Sequence, residues 1–107
     1  MGLDAQVIAI GPFSQEIADS LEYGAQRYAG VPVGATVITT MFLAPTSSDS
    51  HALAAAFGVG AFEMGKHHLD ASKADLTQLR GLCSEREVAD FLNLRAHGFQ
   101  FYYLPNG

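Results

Sequence analysis

The last quarter of the chain is the part of the sequence that most limits how the protein can fold. Ser84-Glu85-Arg86-Glu87 is a capping box, in which the serine and the second glutamate each satisfy a backbone N–H at the start of a helix. Val88, Phe91 and Leu92 follow at helical spacing, and Gly98 stops the run. Phe99 to Leu104 then has the composition of a strand. The segment predicts a helix over residues 85–96 that packs back onto a sheet.

Upstream of this segment, the sequence predicts two further strands and three further helices. Ala5 to Ile10 is a short run rich in Val and Ile, and Ala35 to Leu43 is apolar on both faces, as a central strand is. Ser14 can cap a helix that extends to Gly30. A short alanine-rich helix is expected from His51 to Phe57. The capping pair Ser72 and Asp75 precedes a short leucine-rich helix.

The predicted order of elements is β-α-β-α-α-α-β. It indicates one small domain over residues 1–107 of the α+β class, with α/β as the alternative, and about three strands in its sheet. About two dozen residues with a helix separate the first two strands, so these strands are expected to be parallel if they are neighbours. The third strand is then added at an edge. The alternative is an antiparallel sheet with the helices on one face.

The faces of the second predicted strand follow from its alternation. Val37, Met41 and Leu43 are expected on one face, and Ile38 and Phe42 on the other.

Composition excludes several classes of function. Charged residues make up 16% of the chain, below the usual quarter, and the net charge is −5. The few Lys and Arg are not clustered, so nucleic acid binding is not expected. No apolar run is long enough to predict a membrane span. A single cysteine excludes an internal disulfide and fits a reducing compartment, so the sequence predicts an acidic cytoplasmic protein.

The first candidate site depends on the parallel arrangement. The carboxyl ends of neighbouring parallel strands meet at one edge of a sheet, where ligands bind. The loops over residues 11–14 and 46–51 would lie there, and Ser14, Ser48, Ser50 and His51 are the predicted ligand-binding residues. They could hold a small polar or anionic ligand. The alternative is that the serines only cap their helices.

The second candidate site is the terminal strand. Phe99, Phe101 and Tyr103 share one face, and Tyr102 shares the other with Leu104. A bare, uncharged edge strand is a template for another strand. The sequence therefore predicts a homodimer whose contact includes Phe99, Phe101, Tyr102 and Tyr103. The alternative is a strand covered within its own chain.

Metal and thiol chemistry are not expected. Although His67, His68 and Asp70 lie together in the sequence, adjacent residues of a helix or strand point in different directions and cannot both chelate. Cys83 precedes the Ser84 cap, where it is either a thiol activated by the helix terminus or an apolar residue that packs against Val88. No metal ligands, no cofactor and no catalytic residues are predicted.

The sequence contains no glycine-rich nucleotide-binding loop and no G-x-S-x-G nucleophile motif. It therefore predicts a small non-catalytic binding or accessory protein that acts through a homodimer or a partner-protein surface. The alternative is a small-molecule-binding protein or small enzyme with its site in residues 11–14 and 46–51.

Overall fold

The sheet has four antiparallel strands, one more than the sequence predicts. The computed structural model describes residues 5–21, 24–58 and 67–105. The strands are β1 (Ala5–Pro12), β2 (Thr36–Ala44), β3 (His67–Leu69) and β4 (Gln100–Pro105), in the spatial order β2-β1-β4-β3. Every described strand pair is antiparallel, so the α+β class is confirmed.

The described helices are short. They are α1 (Gln15–Ser20), α2 (Gly24–Arg27), α3 (Ser47–Ala56), α4 (Leu76–Leu82) and α5 (Glu85–Ala96), with a 3-10 turn at Ala71–Lys73. The single helix predicted to follow Ser14 is wrong, because Leu21 takes an extended backbone and ends α1 early. None of the described helices is long and apolar enough to cross a bilayer.

The parallel pairing expected for the first two strands is wrong. Pro12 pairs with Thr36 and Ala5 pairs with Ala44, so β2 returns along β1 in the opposite direction. After α1 and α2 the chain returns to the end of β1 that it left, where Phe13 N–H donates to the Ala35 carbonyl at 2.8 Å and Gly34 N–H donates to the Phe13 carbonyl at 2.8 Å.

The final helix forms as the sequence predicts. The Ser84 hydroxyl accepts from the Glu87 N–H at 3.1 Å, and the Glu87 carboxylate accepts from the Ser84 N–H at 3.1 Å. Gly98 follows the helix with a positive φ of 82°, a conformation that suits glycine. Phe91, on the inner face of α5, packs against the rings of Phe42, Phe57 and Phe101 at centroid distances of 4.8–5.8 Å. This cluster joins the helices to the sheet.

A β-bulge in β2 changes which side chains enter the core. Val7 pairs with Phe42, but Ile8 pairs with Thr40, which leaves Met41 as the extra residue. Beyond the bulge the alternation is inverted. Phe42 is therefore buried beneath the helices and Leu43 is exposed, the reverse of the faces expected for these two residues.

The terminal strand does not lie at an edge. β4 pairs with β1 on one side and with β3 on the other, and Phe101, Tyr102 and Tyr103 face the three residues of β3. The edges of the described sheet are β2 and β3. The edge position expected for the strand from Phe99 to Leu104 is therefore wrong.

Candidate functional site

The described helices contribute to a single core on one face of the sheet and leave the other face out of it. Residues from β1, β2, β3 and β4 enter that core together with side chains of α1, α3, α4 and α5. The strand residues whose side chains point to the other side of the sheet are not part of this core. We call their side the open face. It comprises Gln6, Ile8, Ile10, Ile38, Thr40, Leu43, His68, Gln100, Tyr102 and Leu104.

The open face is partly apolar although much of it meets solvent. Ile38 is 61% exposed and Leu43 is 52% exposed, both on the edge strand β2. Ile8, between Thr40 and Tyr102 on the flanking strands, is buried. When one face of an antiparallel sheet meets solvent, the side chains on that face are usually polar. This face departs from that pattern because it includes exposed apolar side chains.

The open face also lacks formal charge. None of the four described strands contains Asp, Glu, Lys or Arg, and the charged residues that the structure describes lie in helices, caps and turns. Its polar members are neutral hydroxyls, amides and an imidazole. The sheet is therefore an uncharged surface on a chain of net charge −5.

One side of the open face is organised by His68. Its ring lies edge-on to Tyr102, with centroids 5.2 Å apart, and its Nε2 is 2.9 Å from the Gln100 Oε1. Gln100 and Tyr102 share β4, so these contacts tie the short β3 to its neighbour through side chains as well as backbone. The surface there is held in a defined arrangement.

A small cleft of about 200 Å³ opens beside β3, between the 3-10 turn and the end of α5. Asp70 accepts from the Ser72 N–H at 3.0 Å and hydroxyl at 2.6 Å, and these bonds lower the pKa of its carboxyl. Arg95 donates to the Ala71 carbonyl at 3.2 Å. The Ser72 hydroxyl donates to the Asp70 carboxylate and the His68 ring contacts the Gln100 amide, so the described residues of the cleft do not form a serine–histidine pair.

A groove of about 290 Å³ lies at the other end of the molecule, between Leu43 of β2 and the α4–α5 junction. Cys83 lines it and is half-buried. Burial, and then the nearby Glu87 charge, raise the pKa of the Cys83 thiol to about 11. The thiol is therefore protonated at neutral pH and does not act as an activated nucleophile.

The structure does not bring the predicted ligand-binding residues together. The antiparallel pairing places Ser14 beyond one end of β1, and Ser48, Ser50 and His51 beyond the other end, roughly 23 Å away. Ser14 accepts from the Ile17 N–H at 3.2 Å and caps α1. Thr46 caps α3, whereas Ser48 and His51 are exposed on that helix and Ser50 is buried within it.

The predicted interface residues do not share one side of the sheet. Phe99, just before β4, and Phe101 and Tyr103 within it are buried in the core. Tyr102 lies on the open face. The alternation predicted for this strand is thus correct.

Metal ligands do not gather in the described part of the chain. No three His, Cys, Asp or Glu side chains lie together there as a metal site requires. His67 pairs with Tyr103 through the strand ladder.

Comparisons with known proteins add no functional assignment. No protein-family model matches the chain, and no significant match was found among curated proteins or solved structures. The open face, the cleft beside β3 and the groove at Cys83 are the features from which a function can be argued.

Proposed function

We propose that the chain is a small non-catalytic binding or accessory protein, and that the open face is its protein-binding surface. The observation that carries the proposal is an uncharged sheet face on which Ile38 and Leu43 are more than half exposed. A contiguous exposed apolar patch marks a surface that another molecule covers, and Ile38 with its cross-strand neighbour Ile10 provides the apolar part of this face at one end of β2. The single cysteine supports placing this protein in the cytoplasm.

Support for a non-catalytic role comes from the state of the cysteine. Burial and the Glu87 charge raise the pKa of the Cys83 thiol, which lowers the fraction present as the nucleophilic thiolate.

In-cell photo-cross-linking tests the proposal. A photoreactive residue at position 38 probes the open face, and the same residue at Thr77, exposed on α4, is the matched control. We expect a discrete cross-linked product from position 38, with both peptides identified by mass spectrometry, and none from position 77. Equal labelling at both positions, or none at position 38, would contradict a protein-binding role for this face.

A second candidate function is the binding of a small organic acid in the cleft beside β3. One observation favours it: the Arg95 guanidinium and the His68 imidazole line the same cleft of about 200 Å³. That volume lies below the usual range for drug-sized ligands and suits only a small molecule. A thermal-shift screen of small carboxylates should then give a stabilising shift that the Arg95→Gln variant loses. A shift that survives in Arg95→Gln would place the ligand elsewhere.

A further inference from the structure

We propose that the partner that covers the open face is a second copy of this chain, stacked face to face about a two-fold axis. This inference rests on the proposed function and names the occupant of the same surface. In such a contact Ile38, Thr40 and Tyr102 of one copy meet the same set on the other.

Charge favours a second copy over charged partners. The described residues of the open face include no Asp, Glu, Lys or Arg, so two copies can meet there without bringing like charges together. A strongly charged partner would lose the solvation of its charges against this surface and gain no opposite charge in return. An anionic membrane would meet a chain of net charge −5, and the described residues of this face include no Lys or Arg to bind its headgroups.

The extent of the face allows a weak dimer. The described strands have eight, nine, three and six residues, and at about 3.3 Å per residue and 4.8 Å between strands they cover roughly 400 Å² of flat sheet. Two stacked faces would cover roughly 800 Å² before the area added by the side chains, which corresponds to a weak, concentration-dependent contact. Sheets pack in this way about 10 Å apart in β-sandwiches.

The competing self-association is pairing along the free edge of β2. That edge is uncharged, but the bulge at Met41 interrupts its regular ladder. Bulges at edges discourage edge-to-edge pairing. Tyr102 separates the two arrangements, because it lies two strands away from the β2 edge yet on the open face.

Sedimentation velocity on the full chain, from micromolar to submillimolar concentration, tests the proposal. We expect a species of twice the monomer mass of 11.4 kDa. Ile38→Lys and Tyr102→Lys should each raise the dissociation constant of the dimer by roughly 30-fold or more, because the two-fold axis buries two ammonium groups at once. The matched control Thr77→Lys makes the same change of charge on α4 and should leave the dimer intact.

Each outcome decides for or against stacking. A wild-type monomer throughout the concentration range overturns it. Loss of the dimer in Ile38→Lys but not in Tyr102→Lys overturns it in favour of the β2 edge. If Tyr102→Lys loses its helical circular dichroism, Gln100→Lys replaces it, since Gln100 is exposed on the same strand and face.

Failure of the dimer is distinguishable from failure of the proposed function. A wild-type monomer that still forms an identified cross-link from position 38 to a different protein refutes the second copy and keeps the binding surface. A monomer without any cross-link from that position refutes both.

Discussion

Replacing Gly11 with alanine should destabilise the protein, although glycine is normally a weak residue within a strand. Gly11 lies in β1 opposite Val37. A Cβ built there would lie 2.6 Å from both Cδ1 and Cγ of Phe99 and 2.8 Å from Cδ2. These are ring atoms of a side chain that is only 3% exposed, so the ring has little room to move away.

The magnitude follows from two opposed contributions. Alanine in a strand gains about 0.5–1 kcal/mol over glycine through the lower conformational entropy of the unfolded chain. Forcing an extra carbon into a packed core costs about 1–3 kcal/mol. Because three ring atoms of a buried Phe99 would lie within 3.0 Å of the added carbon, the upper part of that range, about 2–3 kcal/mol, applies. We therefore expect a net loss of about 1–2.5 kcal/mol in the free energy of unfolding, or a fall in Tm of about 5–20 °C for a domain of this size.

Chemical denaturation monitored by circular dichroism measures the effect, and the chain supplies a matched control. Gly81 lies within α4 with nothing within 4 Å of the added carbon. Gly81→Ala should therefore stabilise the protein by about 0.5–1 kcal/mol, the helix preference for alanine.

A double-mutant cycle assigns the cause. Phe99→Leu replaces the aromatic ring with a smaller side chain. It should therefore reduce the loss of unfolding free energy caused by Gly11→Ala, because the two sites interact directly. If Gly11→Ala is as stable as the wild type, or if its cost is unchanged in Phe99→Leu, then the close approach of Gly11 and Phe99 does not constrain the fold.

Three further predictions concern helix ends and titratable groups. Ser84→Ala should lower the free energy of unfolding by about 0.5–2 kcal/mol, measured by urea denaturation, and a loss below about 0.3 kcal/mol would mean that the cap does not stabilise α5. Alkylation of Cys83 by iodoacetamide at pH 8 should be roughly 100-fold slower in the native protein than in denaturant, and a native rate within about fivefold of the denatured rate would contradict its raised pKa. His97 bonds to the Asn93 carbonyl and to Glu16, which together raise its pKa above 6.5, so the stability it adds is fully present below pH 6.5 and lost as the pH rises through the raised pKa. The stability difference between wild type and His97→Gln should therefore shrink from about pH 6 to pH 9. A difference that grows over this range would mean that folding lowers the pKa of His97 instead of raising it.

The open face itself could be predicted only in part from the sequence. Alternation along β4 correctly separates Tyr102 and Leu104 from Phe101 and Tyr103, because successive side chains of a strand point to opposite faces. The same argument places Leu43 wrongly. The bulge at Met41 inverts the faces, and its position depends on the pairing with β1.

Local interactions are what the sequence by itself determined. The Ser84–Glu87 capping box, the apolar stripe of α5 and the stop at Gly98 involve residues within a few positions of one another, and the structure has them as predicted. Caps and periodicity act through neighbours along the chain, so a sequence displays them directly.

Long-range pairing is what only the tertiary structure decided. The three-residue β3 is too short to show a strand-like alternation in the sequence. It forms because β4 provides backbone partners for it in the sheet. The antiparallel return of β2 separates Ser14 from His51 and leaves one face of the sheet outside the core. Such pairings depend on which distant segments bury the most apolar surface together, a choice that the spacing of residues along the chain does not record.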